Sequence, residues 1–171
     1  MRIAAVCLLV SGIIVGLPAI ALRARLLPSA ASAVTWAAVI AVVSGVATAT
    51  HGLSSLVGTD RLAQLYQGAG AATHAAIVIG QKLPSAVDPG GLATFGLAGL
   101  AALIFGAALR PGRPRLGTLG VVLGIDMVLL FIADSIGSTA LVLVTGGLAS
   151  VVLGPIWWVS IGRLLLAEGG G

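Results

Sequence analysis

Charge is scarce in this chain: only 8% of its residues are charged, against 58% that are apolar, and the mean hydropathy is +1.16. That leaves too few polar side chains to cover a surface facing water, which excludes a soluble globule and makes lipid the solvent. Long polar segments are missing as well, so nothing within residues 1–171 can fold as a second, soluble unit, and the chain reads as one domain. A single cysteine, Cys7, excludes an internal disulfide and a thiolate metal site; inside the first apolar stretch it reads as a small buried hydrophobe. Aromatics make up 4%, and none interleave with a basic run, so the net charge of +4 does not describe a nucleic-acid surface. It reads instead as topology and as contact with anionic lipid headgroups. The patterns of a nucleophile elbow, a phosphate-cradling loop ending in lysine and a zinc-protease helix are absent. Gly68-Ala-Gly70 follows no strand and is no dinucleotide fingerprint. His51, His74 and one remote aspartate fall short of a metal ligand set, and Cys7 lacks a lipidation context. The expectation is a non-enzyme without cofactor or metal.

What is present is a series of apolar stretches of about the 20 residues that cross a hydrocarbon core. Spans are expected at residues 3–22, 30–50, 91–109, 116–134 and 139–165, with a sixth at 62–81 that is helical in pattern but weaker in hydropathy. Ala19-Ile20-Ala21 has the outline of a signal-peptide cleavage site, but the stretch before it is long enough to span, and an uncleaved first crossing is expected. Arginine and lysine placement scores a six-span chain with both termini inside and a five-span chain with the N-terminus outside equally, at six basic residues against three. In the second arrangement residues 62–81 form an external surface helix. Both place the Arg110-Pro-Gly-Arg113-Pro-Arg115 turn and the C-terminus in the cytoplasm.

The run Gly68 to Ala72 favours six crossings, because small side chains suit packing among spans and a surface helix wants bulky apolar and charged faces. Gln64, Gln67 and His74 would then face protein. The fold class expected is therefore all-α, an integral bundle of six transmembrane helices. Trp36, Tyr66 and the Trp157-Trp158 pair fit an aromatic belt at the membrane edges. Gly12-x-x-x-Gly16 and Gly117, Gly120 and Gly124 are sites for close helix approach, within the chain or between copies. Pro155 should kink the last span, with the freed carbonyl satisfied by a neighbour or a local adjustment.

The stretch Leu109-Arg-Pro-Gly-Arg-Pro-Arg-Leu-Gly117, the glycine-rich span after it, Asp134, Gly154-Pro-Ile-Trp-Trp-Val-Ser-Ile-Gly-Arg163 and Asp60-Arg-Leu-Ala-Gln-Leu-Tyr66 together resemble a family of small bacterial membrane proteins with six spans and a domain of unknown function. The resemblance implies a six-helix fold in the cytoplasmic membrane and no particular activity.

Ionisable groups within a span cost a few kcal/mol and persist when paired or when they line a cavity, so they are the functional pointers here. Asp126, ten residues into its span, lies near mid-depth, and in the six-span arrangement His74 reaches a similar level. A His74–Asp126 pair is the sharpest expectation, with the carboxylate holding a tautomer or sharing a proton. The alternative is that each is satisfied separately by backbone, hydroxyl, amide or water. Asp134 reads as a solvated turn residue beside Gly137, and His51 as an interfacial residue without a role. Two function classes follow: a non-catalytic multipass protein, structural, regulatory or lipid-associated, or a small permease or proton-linked carrier using Asp126 and His74. Expected partners are membrane lipids, with a second copy or another membrane protein as further candidates and no nucleic acid.

Overall fold

The computed structural model describes residues 2–26, 31–67, 70, 73–75, 88 and 91–168. Among them the chain is all-helical. Helix α1 runs Arg2–Leu26 and α2 runs Ala31–Gln67. A π-helical turn at Leu92–Gly96 leads into α3, Leu97–Leu109. Then come α4, Pro114–Ser135, and α5, Thr139–Gly147, which passes through a second π-helical segment, Leu148–Leu153, into α6, Gly154–Glu168.

Among the described residues five helical segments are long and apolar enough to cross a bilayer: Ala5–Leu26, Ser32–Leu56, Leu92–Leu109, Pro114–Ser135 and Thr139–Ala167. Pro18 sits inside α1 without ending it. Bulky residues such as Ile13, Leu17, Trp36, Val46, Leu143 and Val151 point outward, as lipid-facing positions must. Cys7 is among the outward residues, not buried as expected, because the inward stripe of α1 is taken by Ala5, Gly12, Ala19 and Leu22.

Glycine sets the two closest seams. Between α1 and α2, a Cβ on Gly12 would land on the carbonyl oxygen of Gly45, and one on Gly52 would lie 2.5 Å from the nitrogen of Leu9. A Cβ on Gly16, by contrast, would meet nothing, although the Gly16 nitrogen lies 3.4 Å from a Cβ position on Gly45, so the Gly12 end of the Gly12-x-x-x-Gly16 pattern is the one that requires glycine. Between α3 and α4, a Cβ on Gly106 would lie 2.5 Å from the nitrogen of Val121, and one on Gly124 2.7 Å from the oxygen of Gly99. In hydrocarbon, where burial from water does not drive helices together, such backbone approach supplies the dispersion contacts that do.

The sixth crossing expected at residues 62–81 is not supported. Helix α2 passes straight through Asp60 to Gln67, 37 residues in all, about 55 Å and well beyond a hydrocarbon core of about 30 Å. Thr59-Asp60 resembles a helix start, yet no proline breaks the chain there and the helix propagates. Gln64 and Gln67 are exposed on this overhang and face no other described helix, contrary to the expectation that they face protein. Residues 68–69, 71–72 and 76–81 lie outside the described residues.

Direction gives an independent argument. Ser44 Oγ donates to the carbonyl of Thr94 at 3.1 Å, while Asp88, six residues earlier, lies near His51, seven residues later. Moving down from Asp88 to Thr94 therefore retraces α2 from His51 to Ser44, so α2 and α3 are antiparallel. A single crossing by residues 62–81 would make them parallel.

Proline and glycine shape the last span together. Pro155 has no N–H to give and its ring opposes the preceding turn. The chain accommodates this by widening into the π-helical segment, in which Gly154 N–H bonds to Ala149 O, five residues back. A Cβ on Gly154 would lie 2.6 Å from that same oxygen. The expected kink is thus a π bulge, a local adjustment within the helix. The helix docks on α4 through Trp157, whose indole is fully buried against Gly120: a Cβ there would fall 2.7 Å from Nε1. Trp157 is a core residue and not part of a belt. Trp36 remains outward, 65% exposed.

Candidate functional site

Three groups of polar residues are placed by this framework, at mid-depth and at the two ends. Asp126 is the mid-depth group. It is 6% exposed on the inner face of α4, at the level of the Gly99–Gly124 contact and between the buried Leu123 and Leu130. Its Oδ2 is buried and has no hydrogen-bond partner. Both π-helical segments pack against α4, the helix that carries it. π bulges concentrate where a helix must re-aim its groups.

The structure does not join His74 to Asp126. His74 stacks on Tyr66, with ring centroids 4.0 Å apart and planes 11° from parallel, and its Nε2 donates to the carbonyl of Tyr66 at 2.9 Å. That bond fixes the Nε2–H tautomer, since a carbonyl oxygen can only accept. Tyr66 belongs to the overhanging end of α2, ten residues beyond the crossing that ends at Leu56, whereas Asp126 lies nine residues inside Pro114–Ser135. The expected pairing depended on a third span beginning near Asp60, and without that turn the two residues occupy different zones.

At the end of the bundle where α3 begins, Asp88 organises a network that the sequence reading missed. Its Oδ1 accepts from the N–H of Ala93 at 2.6 Å, and its Oδ2 accepts from the N–H of Thr94 at 3.0 Å and from Thr94 Oγ1 at 2.7 Å. These satisfy orphan donors of the helix start, the work of an N-terminal cap. Thr94 in turn accepts from Ser44 through its carbonyl, and Thr48 Oγ1 donates to Ser44 O at 2.9 Å, tying α2 to the cap. Burial works against the carboxylate's charge, but the hydrogen bonds from Thr94 and Ala93, together with nearby His51, outweigh it and hold Asp88 below its ordinary value of 3.8. The fingerprint was available in the sequence as Asp88-Pro-Gly-Gly91 ahead of an apolar run. Gly91 adopts φ +68°, where any side chain would be strained and a Cβ would strike the ring of Phe95. Asp134 stands at the same end, exposed in the last turn of α4 rather than in the loop after it, and its carbonyl accepts from Gly137 N at 3.0 Å.

At the opposite end, where α1, α3 and α6 finish and α2 and α4 begin, arginines collect. Arg23 Nε donates to Thr35 Oγ1 at 3.1 Å, joining α1 to the start of α2. Arg110, Arg113 and Arg115 occupy the turn between α3 and α4, all exposed, and Arg163 is exposed on α6. Leu22, Val34, Leu109, Ile161 and Leu164 pack in one buried cluster beneath them. Among the described residues no group of three His, Cys, Asp or Glu side chains is placed to hold a metal.

No protein family, curated protein or solved structure matches this chain.

Proposed function

We propose that this chain is a non-catalytic multipass protein of a bacterial cytoplasmic membrane, acting as a structural or regulatory bundle that crosses five times. The observation that carries the reading is closure at mid-depth. Beside Asp126, the buried ionisable residue of the described spans, α3 and α4 approach backbone to backbone through Gly99 and Gly124, leaving no width for a path between these two helices. Arg23, Arg25, Arg110, Arg113, Arg115 and Arg163 all fall at one end, and the excess of basic residues on cytoplasmic sides orients that end inward. The N-terminus of α1 is then outside and the C-terminus of α6 inside, an odd-numbered topology in place of two cytoplasmic termini.

One observation favours a second reading, a proton-linked carrier: the unpartnered Oδ2 of Asp126 is a proton acceptor held within a span. Proton flux in liposomes separates the two. The bundle reading expects a pH gradient to decay no faster with protein than in empty vesicles, for the parent and for Asp126→Asn alike. A flux carried by the parent and abolished in Asp126→Asn would replace it with the carrier.

A further inference from the structure

The arginine-rich end contains an open cleft of about 600 Å³ between the α3–α4 turn and the last two turns of α6, lined by Arg113, Arg115, Leu116, Ser160, Arg163 and Leu164 among others. We infer that this cleft holds the phosphate headgroup of an anionic phospholipid. The inference rests on the membrane reading above and adds a specific ligand to it.

Two features converge on a phosphodiester. Arg115 and Arg163 approach the cleft from different helices, and no described carboxylate pairs with either. Guanidinium forks match phosphate oxygens two at a time, and charge-assisted bonds of this kind are the strong ones. The cleft also borders the first turn of α4, where Pro114 has no N–H and no side chain caps the helix. The positive end of the helix dipole is therefore turned toward whatever anion sits there. Ser160 is a wall and not a donor, since its hydroxyl is committed to Ile156 O at 2.7 Å.

The position decides for a lipid over a soluble phosphate. The cleft lies where the span Leu92–Leu109 has just ended, Pro114–Ser135 begins and Thr139–Ala167 is ending, at the edge of the hydrocarbon. Its apolar wall, Leu116 and Leu164, continues into the buried cluster. Beside it α6 presents Ile156, Val159 and Leu166 outward, an apolar flank along which acyl chains attached to a bound headgroup can lie. A free anion would gain nothing from that flank.

The test is a titration of the full-length protein in neutral detergent with short-chain phosphatidylglycerol, phosphatidylcholine or inorganic phosphate, read by native mass spectrometry and by Tm. Phosphatidylglycerol is expected to bind and raise Tm, with phosphatidylcholine much weaker and inorganic phosphate unable to displace it. A basic residue at an anionic surface is worth about a fivefold change in affinity, so R115Q/R163Q should weaken phosphatidylglycerol about 25-fold and weaken phosphatidylcholine, whose choline cation offsets its phosphate, much less. R163Q alone should show about fivefold, which keeps the test decisive if the double variant does not fold. Equal affinity for the two lipids, displacement by inorganic phosphate, or undiminished phosphatidylglycerol binding in R163Q would overturn the proposal. Failure of the membrane reading is distinct: the protein would stay monodisperse in water without detergent.

Discussion

The two ends of the bundle handle charge in opposite ways. At one end Arg110, Arg113, Arg115 and Arg163 stand exposed on a turn and on helix ends, at the level of the headgroups. At the other, the carboxylate of Asp88 is drawn into the structure and spent on backbone donors of Ala93 and Thr94. The difference teaches that charge here serves two purposes. Exposed cations orient the molecule across the membrane and contribute little to its stability, whereas the internal anion starts a helix and contributes little to orientation. Between the ends the interior is nearly neutral and is held by glycine seams.

The comparison breaks most completely if the seam shared by both ends is forced open. Gly106→Val puts side-chain atoms where the Val121 nitrogen already lies 2.5 Å from a Cβ position, and overpacking of this kind costs up to about 3 kcal/mol. Reversible unfolding in mixed micelles should show that loss.

An intermediate effect is expected from Asp88→Ala, a loss of about 1–2 kcal/mol from the missing cap. Its pH dependence sharpens the contrast. Because the folded Asp88 is held below its ordinary value of 3.8, its contribution is complete above the unfolded pKa and disappears as pH falls through the lower folded one. The gap between parent and Asp88→Ala should therefore be constant from pH 7 to about 4 and shrink only below that. A gap that closed between pH 7 and 5 would assign the effect to another group.

The smallest effect belongs to the exposed end. Arg163→Gln should change stability by less than about 0.5 kcal/mol, as substitutions at exposed positions usually do.

Much of this architecture is legible in the residues. Apolar runs locate five crossings because hydrocarbon imposes its thickness on them, and Gly117, Gly120 and Gly124 announce a close seam because only glycine lets backbones touch. Counting residues puts Asp126 near the middle of its apolar stretch, and it lies near the middle of α4, Pro114–Ser135. The errors share a cause: a local pattern does not reveal what lies beside it. Whether a helix is partnered is a tertiary fact: Gln64 and Gln67 were expected to face protein, yet the overhang of α2 that carries them faces no other described helix. Trp157 has the composition of a belt residue, but the notch over Gly120 makes it core. His74 and Asp126 were matched by depth within an assumed topology, and the match dissolves once α2 runs on through Asp60. Asp88 was missed although Asp88-Pro-Gly-Gly91 precedes an apolar run, because its partners in Ala93 and Thr94 lie five and six residues on, beyond the usual spacing of a capping side chain.

The most direct test of the five-crossing account is sidedness of two exposed positions. In a Cys7→Ala background, Gln64→Cys and Gly112→Cys would be treated with a membrane-impermeant maleimide in intact cells and again after permeabilisation. Five crossings place the two on opposite sides, so Gln64→Cys should label in intact cells and Gly112→Cys only after permeabilisation. Protection of both positions until the membrane is opened would put them on the same, cytoplasmic side and restore the six-crossing topology.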